Sequence, residues 1–474
     1  MQHDVLVGRG DVEKELITRL TDNEEEKSLC VISLVSEEAL GKTALARNVY
    51  NKVDIRQHFQ CRAWLHVAKD FTYKDLLLAI IKQIPICGVL ADVELMSEHQ
   101  LSALLFQILI ELCTPFTVVA NGSRVILTTR DSKVASEVDP WGHPLKLMRL
   151  SDEESCKLFL KVVNGANHDN LNNFKVGIVR ICRGLPPTIV LLGGLFSSIQ
   201  PNDEWSGVTD HLSQYLGDDD QSVDLLTIVA LSYHELPYVL KPCFLCLTLF
   251  PKAYEIPTQR LLQLWIAKEF IQISTTTTTS VLEPEDLAKA YLEELVSTNM
   301  IEIATWKEHG SPKTCRMSSF LYNVFLPKDE DIGFLQIHHC NSHVHESNQI
   351  IRRLADHYVG VKSTLESHTQ HLCSYVSFEA QKQGTSNREA KNLRHLFMNE
   401  VSIAKPSSKE SSRTNLQTLM GLLLGAKDPY EYGLDWFTSL RKLGVSCHPK
   451  SAEKTAKCIS GLDKLQTLRL RSKD

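Results

Sequence analysis

Residues 31–50 read VISLVSEEALGKTALARNVY. With Leu29 and Cys30 the stretch opens on a continuous apolar run, LCVISLV, suited to a strand covered on both faces of a parallel sheet. It closes on KTALARNVYN (42–51), which reads as a helix. Between them, SEEALGKT (36–43) fits the phosphate-loop pattern G-x-x-x-x-G-K-[ST] everywhere but its first position. A bare G-K-T is a weak signal; the same tripeptide between a buried strand and a helix is a much stronger one. In such a loop Lys42 would reach a β-phosphate, Thr43 would ligate Mg²⁺, and the N–H groups at the helix start would face the phosphates. Two features work against this. Ser36 resists backbone conformations that the usual glycine allows. Glu37 and Glu38 put carboxylates where phosphates would lie. A like charge at about 4 Å costs on the order of 1–4 kcal/mol, depending on dielectric. Facing the ligand, the two would weaken binding by about ten to several thousand-fold; facing outward, by little.

Working outward, CRAWLHVA (61–68) reads as a second strand and SRVILTTR (123–130) as a third, buried strand ending in Arg130. TYKDLLLAIIKQI and SEHQLSALLFQILIEL are amphipathic helices between them. The alternation predicts a doubly wound α/β domain. Phosphate-loop ATPases also need an acid at the end of another buried strand. ILIEL (108–112) offers Glu111, but it continues the helical spacing of LSALLFQ. From Cys113 to Asn121 there are too few residues for a strand, a crossover and a return. ATP hydrolysis is therefore not expected.

After residue 145 the strand pattern fades. LSDEESCKLFLKVV carries a capping box, Ser151 with Glu154. GLPPTIVLLGGLF is a turn and a packed helix, LPYVLKPCFLCLTLF and PTQRLLQLWIAKEFI are further helices, and EDLAKAYLEELVSTNMIEIA is helix then strand. STTTTTS (274–280) is a low-complexity loop. From about residue 392 the texture changes to NLRHLFM, NLQTLMGLLL, LRKLGV and LQTLRL, of which the last two fit the L-x-x-L-x-L core of leucine-rich repeats. Only four candidate strands occur, at irregular spacing and with no polar cap after them; the alternative is a few Leu-rich helices.

The bulk numbers narrow the function classes. A length of 474 residues suggests two to four domains, and 43% hydrophobic with 23% charged residues is ordinary for a globular protein. A net charge of −6 gives no support for a general nucleic-acid or anionic-membrane surface. No apolar run is long enough for a transmembrane segment. The 13 cysteines lack zinc spacing, and CFLC (243–246) lies in an apolar run, so they read as core thiols. An odd number with no signal peptide fits a reducing, cytoplasmic location.

Taken in order, VGRGDVEKEL, GKTALARNVYN, FQCRAWLHVA, NGSRVILTTRDSKVA, LSDEESCKLF, GLPPTIVLLGG, LSYHELPYVLKPCFLCLTLFPKAYEI and LLQLWIAKEFI closely resemble the NB-ARC module of plant coiled-coil NLR disease-resistance proteins. The resemblance covers about residues 5–326, and 392–470 look like the start of that family's repeat domain. It implies a switch that holds ADP when closed, takes ATP with Mg²⁺ on pathogen perception, and opens to oligomerise. Carried over by position, Val7 and Arg9 would lie near adenine and ribose. Gly41, Lys42, Thr43 and Ala44 would hold phosphate, with Thr43 toward Mg²⁺. Arg130 would sense the terminal phosphate. Pro186 would pack on the adenine, although alone it is an ordinary helix-start proline.

The departures matter as much. The family's Met-His-Asp motif, whose His contacts the ADP β-phosphate, aligns with Met317, Ser318 and Ser319; Ser318 hydrogen-bonds but lacks the imidazole's reach and charge. GLPL has become GLPP, the acidic strand is missing, the coiled coil is absent and the repeats are cut short. The implied architecture is a phosphate-loop α/β domain (1–137) lacking its acidic strand, a helical domain (138–215), a winged-helix-like domain (216–330), and a linker with partial repeats (331–474). The implied function is an ADP-binding defence module, impaired as a switch and not an enzyme, although the family has weak ATPase activity. Its partners would be other NLR or immune signalling proteins and a pathogen effector or guarded host protein, with no specific nucleic acid. The alternative is a nucleotide-free decoy or regulator of intact receptors, or a pseudogene product. DNA binding through residues 220–326 is disfavoured because those helices are not notably basic.

Overall fold

A computed structural model describes residues 7–22, 30–59, 61–67, 72–84, 93, 96–113, 123–140, 142–163, 179, 181–198, 225–271, 283–331, 336–338, 352–356, 371–377, 392–401, 415–424 and 437–472. The chain separates into two compact units, Met1–Glu235 and Leu236–Asp474.

The first unit contains α1 (Gly10–Thr21), β1 (Cys30–Val35), α2 (Lys42–Asn51), α3 (Val53–His58), α4 (Tyr73–Ile81), α5 (Glu98–Cys113), β2 (Arg124–Thr129), α6 (Ser132–Val138), β3 (Leu145–Lys146), α7 (Asp152–Val162), α8 (Pro186–Ser198) and α9 (Leu225–His234). Its described strands form a parallel sheet in the order β2-β1-β3. β1 is central, which is why its sequence is apolar on both faces. Ile32 and Leu34 meet Leu16 and Leu20 of α1, Leu45 and Val49 of α2, and Leu145 and Leu147 in one core. Leu16 and Leu20 stand one helical turn apart, so α1 presents both to the same face.

β2 forms as expected but is not buried. Among the described residues it pairs with β1 alone, and Val125 is 42% exposed. α5 runs through Glu111, as its spacing predicts, so that residue stands on a helix. The segment argued to be too short for an acidic strand lies beyond Cys113, outside the described residues, as does the loop at 274–280.

CRAWLHVA is the clearest correction: residues 61–67 make no strand. Their main chain is served by a side chain. Gln83, just beyond α4, accepts from the Trp64 N–H at 2.8 Å and donates from Nε2 to the Trp64 carbonyl at 2.9 Å. One amide thus supplies the donor and acceptor that a neighbouring strand would provide. The Trp64 ring packs edge-on to Tyr50, with Arg47 over its face. Gln83→Ala removes both bonds at a solvent-reachable site, so about 1 kcal/mol of stability is expected to be lost. The specific signature is faster hydrogen exchange at the Trp64 amide; a rate unchanged from wild type would show that the segment is held by other contacts.

α7 opens on the expected capping box. Ser151 Oγ accepts from the Glu154 N–H, and the Glu154 carboxylate accepts from the Ser151 N–H at 2.8 Å. α7 and α8 pack together, with Phe159 edge-on to Phe196.

The second unit begins with α10 (Lys241–Leu245), β4 (Ile256–Pro257), α11 (Thr258–Ala267), α12 (Pro284–Ser297), β5 (Glu302–Trp306), β6 (Pro312–Arg316) and α13 (Ser319–Asp331). The three strands form an antiparallel sheet, β4-β6-β5. α10 is shorter than LPYVLKPCFLCLTLF suggests. It tightens into a 3₁₀ turn over Cys246–Leu249 and stops at Phe250, which is extended because Pro251 follows. Cys243 and Cys246 are wholly buried and in no disulfide, and burial pushes the Cys243 thiol up, as expected of core cysteines.

The unit continues with β7 (Gln336–His338), β8 (Arg353–Asp356), β9 (Ser374–Ser377), β10 (His395–Val401), β11 (Thr418–Leu424), β12 (Lys442–Cys447), α14 (Ala452–Ile459) and β13 (Thr467–Ser472). These strands lie side by side in sequence order in one seven-stranded parallel sheet. The expectation of four strands starting near residue 392 is therefore corrected: the ladder already begins at β7. Tyr375, Leu396, Leu419 and Leu443 stand abreast and fill the core against this sheet. The adjacent row, Arg353, Ser374, His395, Thr418, Lys442 and Thr467, faces the other way, since side chains alternate along a strand. Lys268, following α11, donates from Nζ to Ser374 Oγ at 2.7 Å and closes over that row.

Candidate phosphate-binding site

The loop joining β1 to α2 twice enters the left-handed region, at Ala39 (φ 64°) and Gly41 (φ 87°). A Cβ at Gly41 would meet nothing within 4 Å, so the position demands a conformation, not space. Lys42 opens α2, and its Nζ turns back to donate to the Ser36 carbonyl at 2.7 Å, Ser36 Oγ at 3.0 Å and the Glu37 carbonyl at 2.5 Å. Burial, then the nearby Arg130 charge, lowers the Lys42 pKa, and Glu38 opposes them. Thr43 and Ala44 are exposed on the first turn of α2.

The two acids of the loop turn toward guanidinium groups. The Glu38 carboxylate accepts from Arg130 Nη1 at 2.8 Å and the Glu37 carboxylate from Arg149 Nη2 at 3.0 Å. Arg130 thus stands at the end of β2, beside the loop, where the sequence placed it. Arg149 was missed; it sits between β3 and α7 in a stretch with no motif to mark it.

Arg9 is held by two backbone carbonyls. It is buried, donating from Nη1 to the Met148 carbonyl at 2.7 Å and from Nη2 to the Leu40 carbonyl at 3.1 Å. The guanidinium therefore ties the phosphate loop to the chain leaving β3. Burial lowers its pKa, with Glu154 opposing. Val7 is half-buried beside it. Leu150 accepts the approach of both neighbouring turns, Gly8 on its side chain and Gly184 on its backbone, and its N–H donates to the Gly184 carbonyl at 2.9 Å. Pro186 is the first residue of α8. Val7, Arg9, Gly41, Lys42, Thr43, Ala44, Arg130 and Pro186 thus belong to one connected neighbourhood of the first unit. Ser318 belongs to the second unit, where its hydroxyl accepts from the Leu321 N–H at 3.3 Å at the start of α13. That bond uses the hydroxyl as a helix cap.

The residues fit a phosphate group. The N–H groups at the start of α2 are oriented for an anion, Gly41 leaves room, and Lys42, Arg130 and Arg149 bring three cations to the loop. Thr43 adds an exposed hydroxyl on the first turn of α2. Among the described residues no group of three His, Cys, Asp or Glu could hold a metal by itself. Among them, too, no helix is long and apolar enough to cross a membrane.

Comparison with known proteins agrees with this geometry. Residues 10–112 and, separately, 106–169 match the NB-ARC domain, and residues 249–324 match the disease resistance protein winged helix domain. The chain is 32% identical over 404 residues to disease resistance protein RPP13 of Arabidopsis thaliana, covering 80% of this chain and 47% of that protein. It is 31% identical over 383 residues to the putative disease resistance RPP13-like protein 3 of the same plant, covering 76% and 44%. Disease resistance protein RPM1, also from Arabidopsis thaliana, is 29% identical over 369 residues, covering 71% and 39%. The chain spans about half the length of these relatives or less.

Proposed function

We propose that this chain, a homologue of plant disease resistance proteins carrying their NB-ARC and winged-helix domains, is an immune-receptor-type defence module that binds ADP or ATP at the β1–α2 loop. The observation that carries the reading is that loop: an open Gly41, Lys42 at the helix start and Thr43 exposed behind it, with Arg130 beside them. Lys42, the α2 amides and Arg130 would hold the phosphates, with Mg²⁺ at Thr43. Val7, Ala44 and Pro186 would line the nucleotide, and Arg9 would position the loop.

The proposal includes the division at 1–137, 138–215, 216–330 and 331–474, with the last region a leucine-rich solenoid. Supporting the last point, seven parallel strands recur at steps on the order of 20 residues. Hydrolysis is not part of the proposed function, because the acid it needs has no strand-end candidate in the sequence. The NB-ARC match comes in two pieces that overlap at residues 106–112, which supports a lost segment there. A cytoplasmic location and partners among immune signalling proteins, other such receptors, an effector or a guarded host protein belong to the same reading. One observation favours a nucleotide-free decoy or regulator instead: Arg130 already holds a carboxylate.

The test is ADP and ATP titration of the full chain by calorimetry, with Lys42→Ala as control. Micromolar binding that the control loses is expected. No heat at millimolar nucleotide would sink the nucleotide reading and leave the decoy.

A further inference from the structure

Three cations reach the phosphate loop, and all three already face oxygen atoms of the loop itself. Lys42 holds the Ser36 and Glu37 carbonyls and Ser36 Oγ. Arg130 holds Glu38 across 92 residues of sequence, and Arg149 holds Glu37 across 112. The two arginines come from opposite sides of β1: Arg130 follows β2 and Arg149 follows β3, and these strands flank β1. Adjacent glutamates therefore tether one loop to both sides of the sheet. A carboxylate on a guanidinium uses the same charge-assisted hydrogen bonds as a phosphate.

We propose that Glu37 and Glu38 are built-in phosphate surrogates, which hold the loop in a nucleotide-free arrangement and must yield Arg130 and Arg149 to an incoming di- or triphosphate. The proposal rests on the nucleotide reading of this site. It turns the two acids from damage into a gate. Both ion pairs are largely exposed, with side-chain exposures of 63% and 46% for Arg130–Glu38 and 46% and 70% for Arg149–Glu37. Exposed pairs are individually weak and exchange readily. A phosphate chain, carrying more charge and more acceptors, displaces them at an affinity cost. The consequence is a site tuned to a higher nucleotide threshold.

The experiment compares the full-length wild type with Glu37→Gln, Glu38→Gln and the double variant. Glutamine keeps size and hydrogen bonding but removes the charge. Two readouts are needed: ADP affinity by calorimetry with Mg²⁺, and amide exchange of residues 36–40 without nucleotide. The double variant is expected to bind ADP on the order of tenfold more tightly or better, with each single variant between. Its loop amides are expected to exchange faster, because the tether is gone. Tighter binding with unchanged exchange would mean simple repulsion and overturn the surrogate role. Equal affinity in wild type and double variant would overturn it too, while leaving the nucleotide reading intact. No binding by either protein at millimolar ADP would fall on the nucleotide reading itself, and the proposal would go with it.

Discussion

Gly184→Ala is expected to cost the first unit about 3–5 kcal/mol, a large part of an ordinary domain's stability. Two effects add. Gly184 sits at φ +68°, where an alanine is strained by about 1–2 kcal/mol. Its new Cβ would also lie 2.2 Å from the Leu150 carbonyl oxygen and 2.9 Å from the Leu150 nitrogen. Those are backbone atoms, so no side chain can swing away. Leu150 cannot retreat cheaply either: it is buried, its N–H is bonded to Gly184, and Ser151 after it caps α7. Gly41→Ala is the internal control. Its φ of +87° carries the same strain, but its Cβ would enter open space, so about 1–2 kcal/mol is expected. Denaturant unfolding of the two variants separates strain from collision. Equal losses would show that the close approach to Leu150 contributes nothing. Because Gly184 also sets the start of α8, and hence Pro186, its variant should lose nucleotide binding along with stability.

That contact shows where sequence reading succeeds and where it stops. The phosphate loop was legible because its pattern is local: strand, loop and helix within twenty residues. The capping box at Ser151 and Glu154 was legible for the same reason. The approach of Gly184 to Leu150, the arginine tethers of Glu37 and Glu38, and the Arg9 clamp join distant residues, and no local pattern encodes them. CRAWLHVA failed because an apolar, β-branched and aromatic run describes a segment that fits a sheet, not one that has a partner. Gln83 supplied the hydrogen bonds instead. The early solenoid strands failed for a different reason. Their core slot needs an apolar group of suitable size, not leucine, and Tyr375 fills it in β9 where Leu396, Leu419 and Leu443 fill it later. The pattern L-x-x-L-x-L also misses β8, although Leu354 stands abreast of Tyr375, because Asp356 and Ser377 occupy its last apolar position in β8 and β9.

The same solenoid makes the second unit sensitive to pH, in a direction fixed by two buried bases. Lys268 closes over the polar row of the sheet, bonded to Ser374, in reach of Arg353 and the Cys246 and Cys373 thiols. Burial, the largest cause, brings its pKa from 10.5 down to about 8. His395, two strands' width into that row, pairs with Thr418 at 3.2 Å. Burial first, then Lys268, Arg394, Lys442 and Arg353, lowers it from 6.5 to about 3. For both groups the unfolded chain binds more protons than the folded one, so stability rises with pH. The His395 penalty is absent above about pH 6.5 and grows as pH falls toward 3. The Lys268 penalty is full below about pH 8 and is relieved between 8 and 10.5. Across its window the lysine is worth on the order of 3 kcal/mol and the histidine on the order of 5 kcal/mol. At neutral pH only the lysine is costly. Lys268→Met keeps its length and packing but removes the buried charge, and is expected to stabilise the second unit by about 1–3 kcal/mol at pH 7. Loss of the bond to Ser374 offsets part of the gain. The decisive measurement is denaturant stability of wild type and variant from pH 6 to 10. The gap between wild type and variant should narrow above pH 8, while the buried Cys243 thiol, whose pKa is raised, lowers both profiles alike as pH passes about 9. Parallel profiles would mean that Lys268 keeps a hydrated charge with an unshifted pKa, and that its position over Ser374 costs the fold nothing.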